Sequence, residues 1–350
     1  MQKPATKKNT IIFFAFLSSL VLGGVLYVMN QPKDIIFTAA ITLFVAVLWV
    51  TEALPIPATS VIPLAAFPLF GVISHTEAAS SLGSHVIMLL MAAFMLSKAL
   101  EKANLHKRFA IYMLRVTGSG SPLKVILGFM MTTAVLSMWI SNTATILMML
   151  PMAIAIINAL DNPRFGVALI LGIAYAASLG GVGTPIGTPP NIIFMSVYEE
   201  TQGVEYSFIE WMKTGIPIVI VAIPVMALWL ARGIKTVGNI DLPEPGHWTK
   251  AEKRVLAIFG TVALAWIFRP FWTAWLGITT ISDSTIAVAG VVAMFLVNSG
   301  HDNGEVDAKG NNEKLLDWKT ANDIPWGMLL LFAGGICIAK AFMASGLSVV

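Results

Sequence analysis

Apolar stretches of about 20 residues, the length of a membrane-spanning helix, recur along this 350-residue chain. In lipid every backbone polar group must be hydrogen-bonded within the protein, so such stretches fold as helices. Hydrophobic residues make up 57% of the chain and charged residues 12%, and the mean hydropathy is +0.79, which excludes a soluble domain. We predict an all-α integral membrane protein with spans at roughly 11–29, 35–53, 58–73, 86–100, 166–198 with a break, 214–232, 255–276, 283–298 and 326–345.

Lysine and arginine residues set the expected orientation, because they favour the cytoplasmic side of a membrane. Lys3, Lys7 and Lys8 precede the first apolar stretch, which has no small-residue cleavage site. We therefore expect a retained first helix, a cytoplasmic N-terminus and a multi-pass protein of the cell inner (cytoplasmic) membrane. Segment 101–116 predicts an amphipathic helix in the cytoplasmic interface, with a solvated loop as the alternative. The net charge of +3 lies beside apolar spans and does not indicate a nucleic-acid partner.

Two polar strings interrupt the apolar stretches. Ser141-Asn142-Thr143 lies between two proline-flanked apolar segments, and the string Gly-Gly-Val-Gly-Thr-Pro-Ile-Gly-Thr-Pro-Pro-Asn follows at 180–191. Backbone that leaves the helix at membrane depth is tolerated only where protein covers it or where it lines a cavity. The first string predicts a re-entrant hairpin over 122–160 and the second a broken helix over 166–198. Together they predict a binding site.

The residues of these strings suit a sodium ion and an anion. Sodium takes oxygen ligands, and Ser137 and Ser141 are four residues apart, which predicts one face of one helix for both hydroxyls. Glycine and proline at 180–191 free backbone carbonyls of the kind that coordinate sodium in transporters. The helix N-termini expected after Thr143 and Pro190 offer N–H groups and positive dipole ends to an anion.

Charge balance links the two ligands. Neither string contains lysine or arginine, so bound sodium would supply the positive charge that a dianion needs in a low dielectric. The structural alternatives are a capped turn between two packed helices for the first string and close helix packing at the glycines for the second.

An internal repeat organises the chain. The apolar run 88–99 parallels 330–341, and Lys98 and Lys340 occupy equivalent positions 242 residues apart. An odd number of spans between the copies gives them opposite topology, as in many secondary transporters. A second Ser-Asn-Thr would fall near position 383, so we expect a chain truncated before its second hairpin. The predicted regions are the tail and first span 1–34, the first inverted repeat 35–235 (scaffold spans 35–120, the hairpin, the broken helix and span 214–232), a cytoplasmic connector 236–254 and an incomplete second repeat 255–350.

The two strings, together with Ser137-Met-Trp-Ile before the first, resemble the divalent anion/sodium symporter family, the sodium-coupled dicarboxylate and citrate transporters. The resemblance covers nearly the whole chain. It implies eleven spans, two re-entrant hairpins, a homodimer in the lipid bilayer, and elevator-type movement of a transport domain. We predict sodium-coupled symport of dicarboxylates (succinate, malate, fumarate) or of citrate; the alternatives are transport of another anion and a non-transporting truncated fragment. The predicted sodium ligands are Ser137, Ser141, Asn142, Gly183 and Gly187, and the predicted substrate contacts are Ser141, Asn142, Thr143, Thr188 and Pro189.

Other classes of protein fit the sequence less well. Gly181-Val-Gly183 is not followed by the acidic residue of a dinucleotide fingerprint, and the five histidines lack metal-ligand spacing. No candidate base lies near Ser137 or Ser141 in the sequence, so we predict no enzyme. The charge rings and repeated carbonyl filters of a channel are missing.

Three isolated charges in apolar regions are interpreted as structural. Arg269 is expected to snorkel from a position near the extracellular end of its span, Glu52 to end a helix at the interface, and Asp283 to cap a helix.

Overall fold

A computed structural model describes residues 5–118, 120–160, 162–234, 246–300 and 313–347. These residues form α-helices and no β-strand beyond an isolated bridge between Asn298 and Lys314, so the all-α prediction is confirmed. The helices are α1 Ala5–Val28, α2 Lys33–Thr51, α3 Ile56–Leu69, α4 His75–Leu82, α5 His85–Lys102, α6 Leu105–Thr117, α7 Pro122–Ser137, α8 Asn142–Leu160, α9 Pro163–Gly181, α10 Pro189–Gln202, α11 Phe208–Leu230, α12 Lys250–Ile267, α13 Arg269–Leu276, α14 Asp283–Leu296, α15 Trp318–Asn322 and α16 Trp326–Ser345.

Helix length and composition identify the membrane segments. Among the described residues, six helical stretches are long and apolar enough to cross a bilayer. They are 7–28, 33–51, 75–102, 163–181, 208–230 and 326–345. Helices α3, α7 and α14, and the stretch 142–158 of α8, are also apolar but are 10–17 residues long.

The chain divides into two compact units, one formed by 1–88 and 325–350 and the other by 89–324. In the first unit, α16 packs against α2, α3 and α4. Val45, Phe67, Cys337 and Ala341 are buried in its core. A side chain at Gly334 would collide with the backbone carbonyl of Ser60, so α16 and α3 approach at backbone distance.

In the second unit, α7 packs against α9, α6 and α11, and α8 packs against α9. Phe129, Phe165 and Trp266 are fully buried, and Phe208 stacks on Trp266 with ring centroids 5.1 Å apart. The hairpin formed by α7 and α8 thus lies against α9, the first half of the predicted broken helix.

The span predicted at 255–276 is not one continuous helix. Helices α12 and α13 are bent by 75° at Phe268. Pro270 follows the bend, and α12 cannot continue through it because proline has no N–H for the helical hydrogen bond and its ring clashes with the preceding turn. The predicted span thus consists of two helices, and the sequence did not indicate the break because the apolar composition continues through the bend.

The charged residues at this bend were also predicted wrongly. Arg269 is 8% exposed and does not snorkel; its Nε lies 2.6 Å from a carboxylate oxygen of Asp283, and its guanidinium also pairs with Glu205. Asp283 is the first residue of α14, whose cap is Ser282. Burial of a charge is costly unless a partner compensates it. Arg269 and Asp283 form a buried ion pair, and the partly exposed Glu205 joins it from the surface. Glu52 does end α2, as its C-cap residue.

Several helices begin with a capping box, in which a serine or threonine and a glutamate three residues later bond each other's backbone amides. Ser74, Ser207 and Thr249 start α4, α11 and α12 in this way. Helix α12 therefore begins inside the predicted connector 236–254, of which residues 236–245 lie outside the described residues. The amphipathic helix predicted at 101–116 is present as α6, and its interfacial location stays a prediction.

The two lysines of the predicted internal repeat each contact a short helix. Lys98 Nζ lies 2.8 Å from Asp323, the residue that ends α15. Lys340 Nζ donates to Ser80 Oγ of α4 at 2.7 Å. The repeat itself stays a prediction.

Candidate functional site

The Ser-Asn-Thr string forms the turn between α7 and α8. Helix α7 ends at Ser137, its C-cap is Met138, and α8 begins at Asn142. Ser141 accepts a hydrogen bond from the Ala144 amide at 3.3 Å and so caps α8. Ser137 and Ser141 consequently lie on opposite sides of the turn. The expectation of a shared helical face was wrong because helix α7 ends between them.

The glycine-rich string breaks the second helix. Helix α9 ends at Gly181, residues 182–188 are not α-helical, and α10 begins at Pro189. Pro185, Pro189 and Pro190 lack the N–H that a continuing helix would need. The break is buried from Gly183 to Gly187, so its polar backbone groups need partners within the protein.

Ser137 joins the hairpin to the broken helix. Its Oγ lies 2.7 Å from the Ala177 carbonyl in α9 and 2.6 Å from Asn142 Oδ1 at the start of α8. Ser137 is fully buried, and its hydroxyl links the end of α7 to α9 and to the first residue of α8. The result is a buried group of neutral polar atoms at the point where the hairpin meets the broken helix.

Two glycines bring the backbone to this group. A Cβ at Gly181 would lie 2.8 Å from Asn142 Oδ1, and a Cβ at Gly187 would lie 2.5 Å from the Gly181 carbonyl oxygen and 2.9 Å from the Ser137 carbonyl oxygen. Only glycine permits approach at these distances. Ser137, Asn142, Gly181 and Gly187 are thereby collected in one place.

A single amide supports the break from inside. Asn191 Nδ2 donates to the carbonyls of Gly181 at 2.8 Å and Thr184 at 2.9 Å. The Thr184 hydroxyl in turn donates to the Met138 carbonyl in the hairpin turn. These contacts fix the loop against both helices. Neither Asn191 nor Thr184 was among the predicted site residues, although both lie in the string that marked the site.

The first turn of α8 offers backbone donors. The amides of Ala144 and Thr145 bond to Ser141, whereas among the described residues no acceptor is found for those of Asn142 and Thr143. The Thr145 hydroxyl is buried and also has no partner within the described part of the chain. At α10 the first two residues are prolines and the Asn191 amide bonds to Thr188. The N-terminus of α8 is therefore better suited to bind an anion than the N-terminus of α10.

The predicted substrate residues surround this end. Thr143 is exposed, and Asn142, Thr188 and Pro189 are partly exposed. Thr188 makes no side-chain cap to α10, and its Cβ would lie 3.4 Å from a Cβ at Gly181. Hydroxyls and amides at the edge of the buried oxygen group can therefore meet a carboxylate without a charged side chain.

Ionisable side chains are missing from both strings, 137–145 and 180–191. Within the described residues, no group of three His, Cys, Asp or Glu side chains is arranged to hold a metal ion. The ligand atoms that the hairpin turn and the break offer are neutral oxygens, which suit a hard monovalent cation better than a transition metal.

Membrane helices, a helical hairpin and a broken helix that meet in a neutral oxygen-rich site are the features of a secondary transporter. Comparison with known proteins agrees. The citrate transporter family matches residues 46–350. The sodium-dependent dicarboxylate transporter SdcS of Staphylococcus saprophyticus is 35% identical over an alignment of 373 positions, which covers 98% of this chain and 70% of that protein. The protein of the same name from Staphylococcus aureus (strain USA300) is 35% identical over 374 residues, with the same coverage.

The chain therefore belongs to the citrate transporter family, and its resemblance to the divalent anion/sodium symporters is confirmed. It is a membrane transporter and not an enzyme.

Proposed function

We propose that this protein carries sodium ions together with a dicarboxylate, such as succinate, malate or fumarate, or with citrate across the cytoplasmic membrane. The observation that carries the proposal is the buried group of neutral polar atoms where the hairpin meets the break: Ser137 Oγ lies 2.6 Å from the Asn142 side-chain amide and 2.7 Å from the Ala177 carbonyl oxygen. Hydroxyl, amide and backbone carbonyl oxygens of this kind would coordinate a sodium ion at this point. The names of the relatives, which are sodium-dependent dicarboxylate transporters, support the same cargo.

The sodium ligands proposed are Ser137, Ser141, Asn142, Gly183 and Gly187. Ser137 and Asn142 supply side-chain oxygens. The glycines supply backbone carbonyl oxygens, which an ion can approach because glycine has no side chain. All of these ligands are neutral, so a bound ion adds a full positive charge to the site. That charge is partly desolvated and is stabilised by an anion nearby.

The proposed substrate contacts are Ser141, Asn142, Thr143, Thr188 and Pro189. One carboxylate would accept hydrogen bonds from the first amides of α8 and from the neighbouring hydroxyls, and it would lie at the positive end of that helix. Pro189 has no N–H, so its part is to shape the edge of the site. Sodium and the anion then stabilise each other, which couples their transport.

The arrangement in the membrane is part of the proposal. We place the N-terminus and α6 on the cytoplasmic side, because basic residues cluster there. The repeat contacts of Lys98 and Lys340 support an inverted repeat. A homodimer and an elevator-type movement follow from the family resemblance. Cysteines placed at 107 and 202 in a Cys337→Ala background should label from opposite sides of the membrane, and labelling from one side would contradict this topology.

The test of function is uptake of radiolabelled succinate by the reconstituted protein under an inward sodium gradient. We expect Ser137→Ala and Asn142→Ala to raise the half-saturating sodium concentration at least tenfold, since each removes a ligand oxygen worth about 1.5–3 kcal/mol when it faces a charge. Thr133→Val is the matched control, because its buried hydroxyl donates within α7, to the Phe129 carbonyl at 2.7 Å.

Competition defines the substrate. Unlabelled malate, fumarate and citrate should compete with succinate, whereas sulfate and phosphate should not. Parental affinities for sodium and succinate in both variants would refute the proposed site. Competition by sulfate alone would favour the alternative of another anion.

A further inference from the structure

Helix α11 contacts the break through two residues on one face. Trp211 Nε1 donates to the Val182 carbonyl at 2.8 Å. One turn later, Gly215 lies so close to Val182 and Gly183 that any side chain there would collide with the Val182 carbonyl. Residues i and i+4 share a helical face, so a single surface of α11 supports the peptide that joins Val182 to Gly183.

This peptide group is held at both ends. Its carbonyl accepts from Trp211, and its N–H, which belongs to Gly183, donates to the Gly180 carbonyl at 2.8 Å. A peptide group is planar, so two bonds on opposite edges fix the orientation of the whole plane. The next carbonyl along the chain is that of Gly183, one of the proposed sodium ligands. Its oxygen lies 3.2 Å from the Cβ position of Gly215, so the same face of α11 also contacts Gly183.

The indole is itself held in place. Its ring meets Phe194 of α10 edge-on at 5.8 Å and Tyr206 at 6.3 Å between centroids. Such aromatic contacts restrict the ring to one orientation. The indole of Trp211 therefore loses little conformational freedom when it bonds to Val182. Helix α11 supplies the donor, and Phe194 of α10 helps to hold it.

We propose that Trp211, assisted by Gly215, is a positioning residue for the sodium site: it does not touch the ion, but it holds the Val182–Gly183 peptide against α11 and so fixes the backbone of the break, to which the proposed ligands Gly183 and Gly187 belong. This inference rests on the proposed function. Without the indole N–H, the Val182 carbonyl loses its partner and the peptide plane can rotate, which lowers sodium affinity without removing a ligand.

The test is Trp211→Phe in the reconstituted protein, because phenylalanine keeps an aromatic ring against Phe194 and removes only the donor. We expect the half-saturating sodium concentration for succinate uptake to rise about fivefold to tenfold, the effect of one buried carbonyl left unsatisfied. At saturating sodium the maximal rate and the succinate KM should return to within about twofold of the parent. A variant that was merely misfolded would show a lower maximal rate with unchanged sodium dependence.

The matched control is Trp272→Phe. Trp272 makes the same kind of bond, from its indole to the Ala265 carbonyl at 3.0 Å, at the other helix bend. A second pair of variants uses no tryptophan: Gly215→Ala should shift sodium dependence in the same direction, whereas Gly260→Ala, which has no atom within 4 Å of the new methyl group, should not.

Each outcome is decisive. Sodium dependence of Trp211→Phe within twofold of the parent, or an equal shift in Trp272→Phe, would overturn the positioning role while leaving the proposed function standing. If Trp211→Phe does not reach the membrane, the two glycine variants decide. An unmodified protein whose succinate uptake ignores sodium would refute the proposed function, and this inference with it.

Discussion

The helix break at 182–188 and the bend at Phe268 are held by different chemistry. The break is fixed by the Asn191 amide, the Trp211 indole and the Thr184 hydroxyl, all neutral. The bend is fixed by an ion cluster in which the buried Arg269 pairs with the buried Asp283 and with the partly exposed Glu205. Both interrupt a helix and both need partners for freed backbone groups.

We relate this difference to whether each interruption has to bind ions. A fixed charge stabilises one geometry strongly. Its partner of opposite sign already occupies the position in which an ion of that opposite sign would bind. A site that receives a cation and an anion in turn needs dipoles that can serve both. We infer that charged side chains hold the structural bend at Phe268, and that neutral groups hold the break at 182–188, where ions would bind. The following variants test that contrast.

The largest effect is expected from Gly187→Ala in the neutral break. The new methyl group would lie 2.5 Å from the Gly181 carbonyl oxygen and 2.9 Å from that of Ser137, and backbone on both sides cannot yield as a side chain would. We expect sodium-dependent uptake to fall on the order of a hundredfold, as for about 3 kcal/mol of overpacking. Gly335→Ala, with open space around the new methyl group, is the control. Uptake within threefold of the parent would show that the break is not tightly packed.

At the charged bend, Asp283→Asn should reduce stability and spare the transport constants. Removing one partner of a buried ion pair costs about 3–5 kcal/mol, and we expect the lower end because Glu205 still faces Arg269. Thermal unfolding in detergent measures this loss. Glu205→Gln is the comparison; its side chain is 51% exposed, so a loss below about 1 kcal/mol is expected. A tenfold change in sodium affinity in Asp283→Asn would contradict the division of roles.

A charge placed in the neutral break should separate the two cargoes. Thr188→Asp puts a carboxylate at the edge of the site, and aspartate is also a good residue at a helix N-terminus. We expect the succinate KM to rise about tenfold by repulsion, equivalent to roughly 1.4 kcal/mol, while the half-saturating sodium concentration stays the same or falls. Thr188→Asn, which lacks the charge, should leave both constants near parental values. An equal KM increase in the two variants would mean that shape, not charge, matters here.

The smallest effect is expected at Asp317, in an exposed ion pair. Burial opposes ionisation of Asp317, but hydrogen bonds from Lys102 and from Thr320 outweigh it and lower its pKa to about 2. Because the folded-state pKa lies below the ordinary value of 3.8, the stabilisation is present above about pH 4 and is lost as the pH falls through about 2. The side chain is 41% exposed and screened, so Asp317→Asn should cost less than about 1 kcal/mol at neutral pH.

Asparagine keeps the cap of α15, so this variant isolates the charge. Melting curves recorded from pH 5 downward should converge for the two proteins as Asp317 becomes protonated. Curves that differ by the same amount at every pH would show that the carboxylate contributes no charge-dependent stability.

Much of the fold could be predicted from the sequence because a membrane-spanning helix requires a continuous apolar stretch, which is visible along the chain. Apolar length located the main helices, and the strings at 141–143 and 180–191 located the two interruptions. Helix starts were less well predicted, because an apolar window ignores the polar first turn. The capping boxes at Ser207 and Thr249 would have placed the starts of α11 and α12 correctly.

The contacts that complete the site could not be predicted in this way. Asn191 lies inside a string that was already singled out, and an amide in a buried break is a signal of backbone support. Trp211 gave no such signal, since a tryptophan near the end of an apolar helix is ordinary at a membrane interface. Its role depends on how α11 packs against the break, and spacing along the chain does not report that. The ion cluster at Arg269 was missed for the same reason, because Glu205 is 64 residues away.

The absence of ionisable residues from 137–145 and 180–191 also has an electrical consequence. For the symport proposed here, the binding residues carry no charge of their own through the cycle, so the charge they deliver is that of the bound ions alone. Two sodium ions with a divalent anion move no net charge, and a third ion makes one elementary charge cross per turnover. The ratio of membrane current to succinate flux would then count the sodium ions directly.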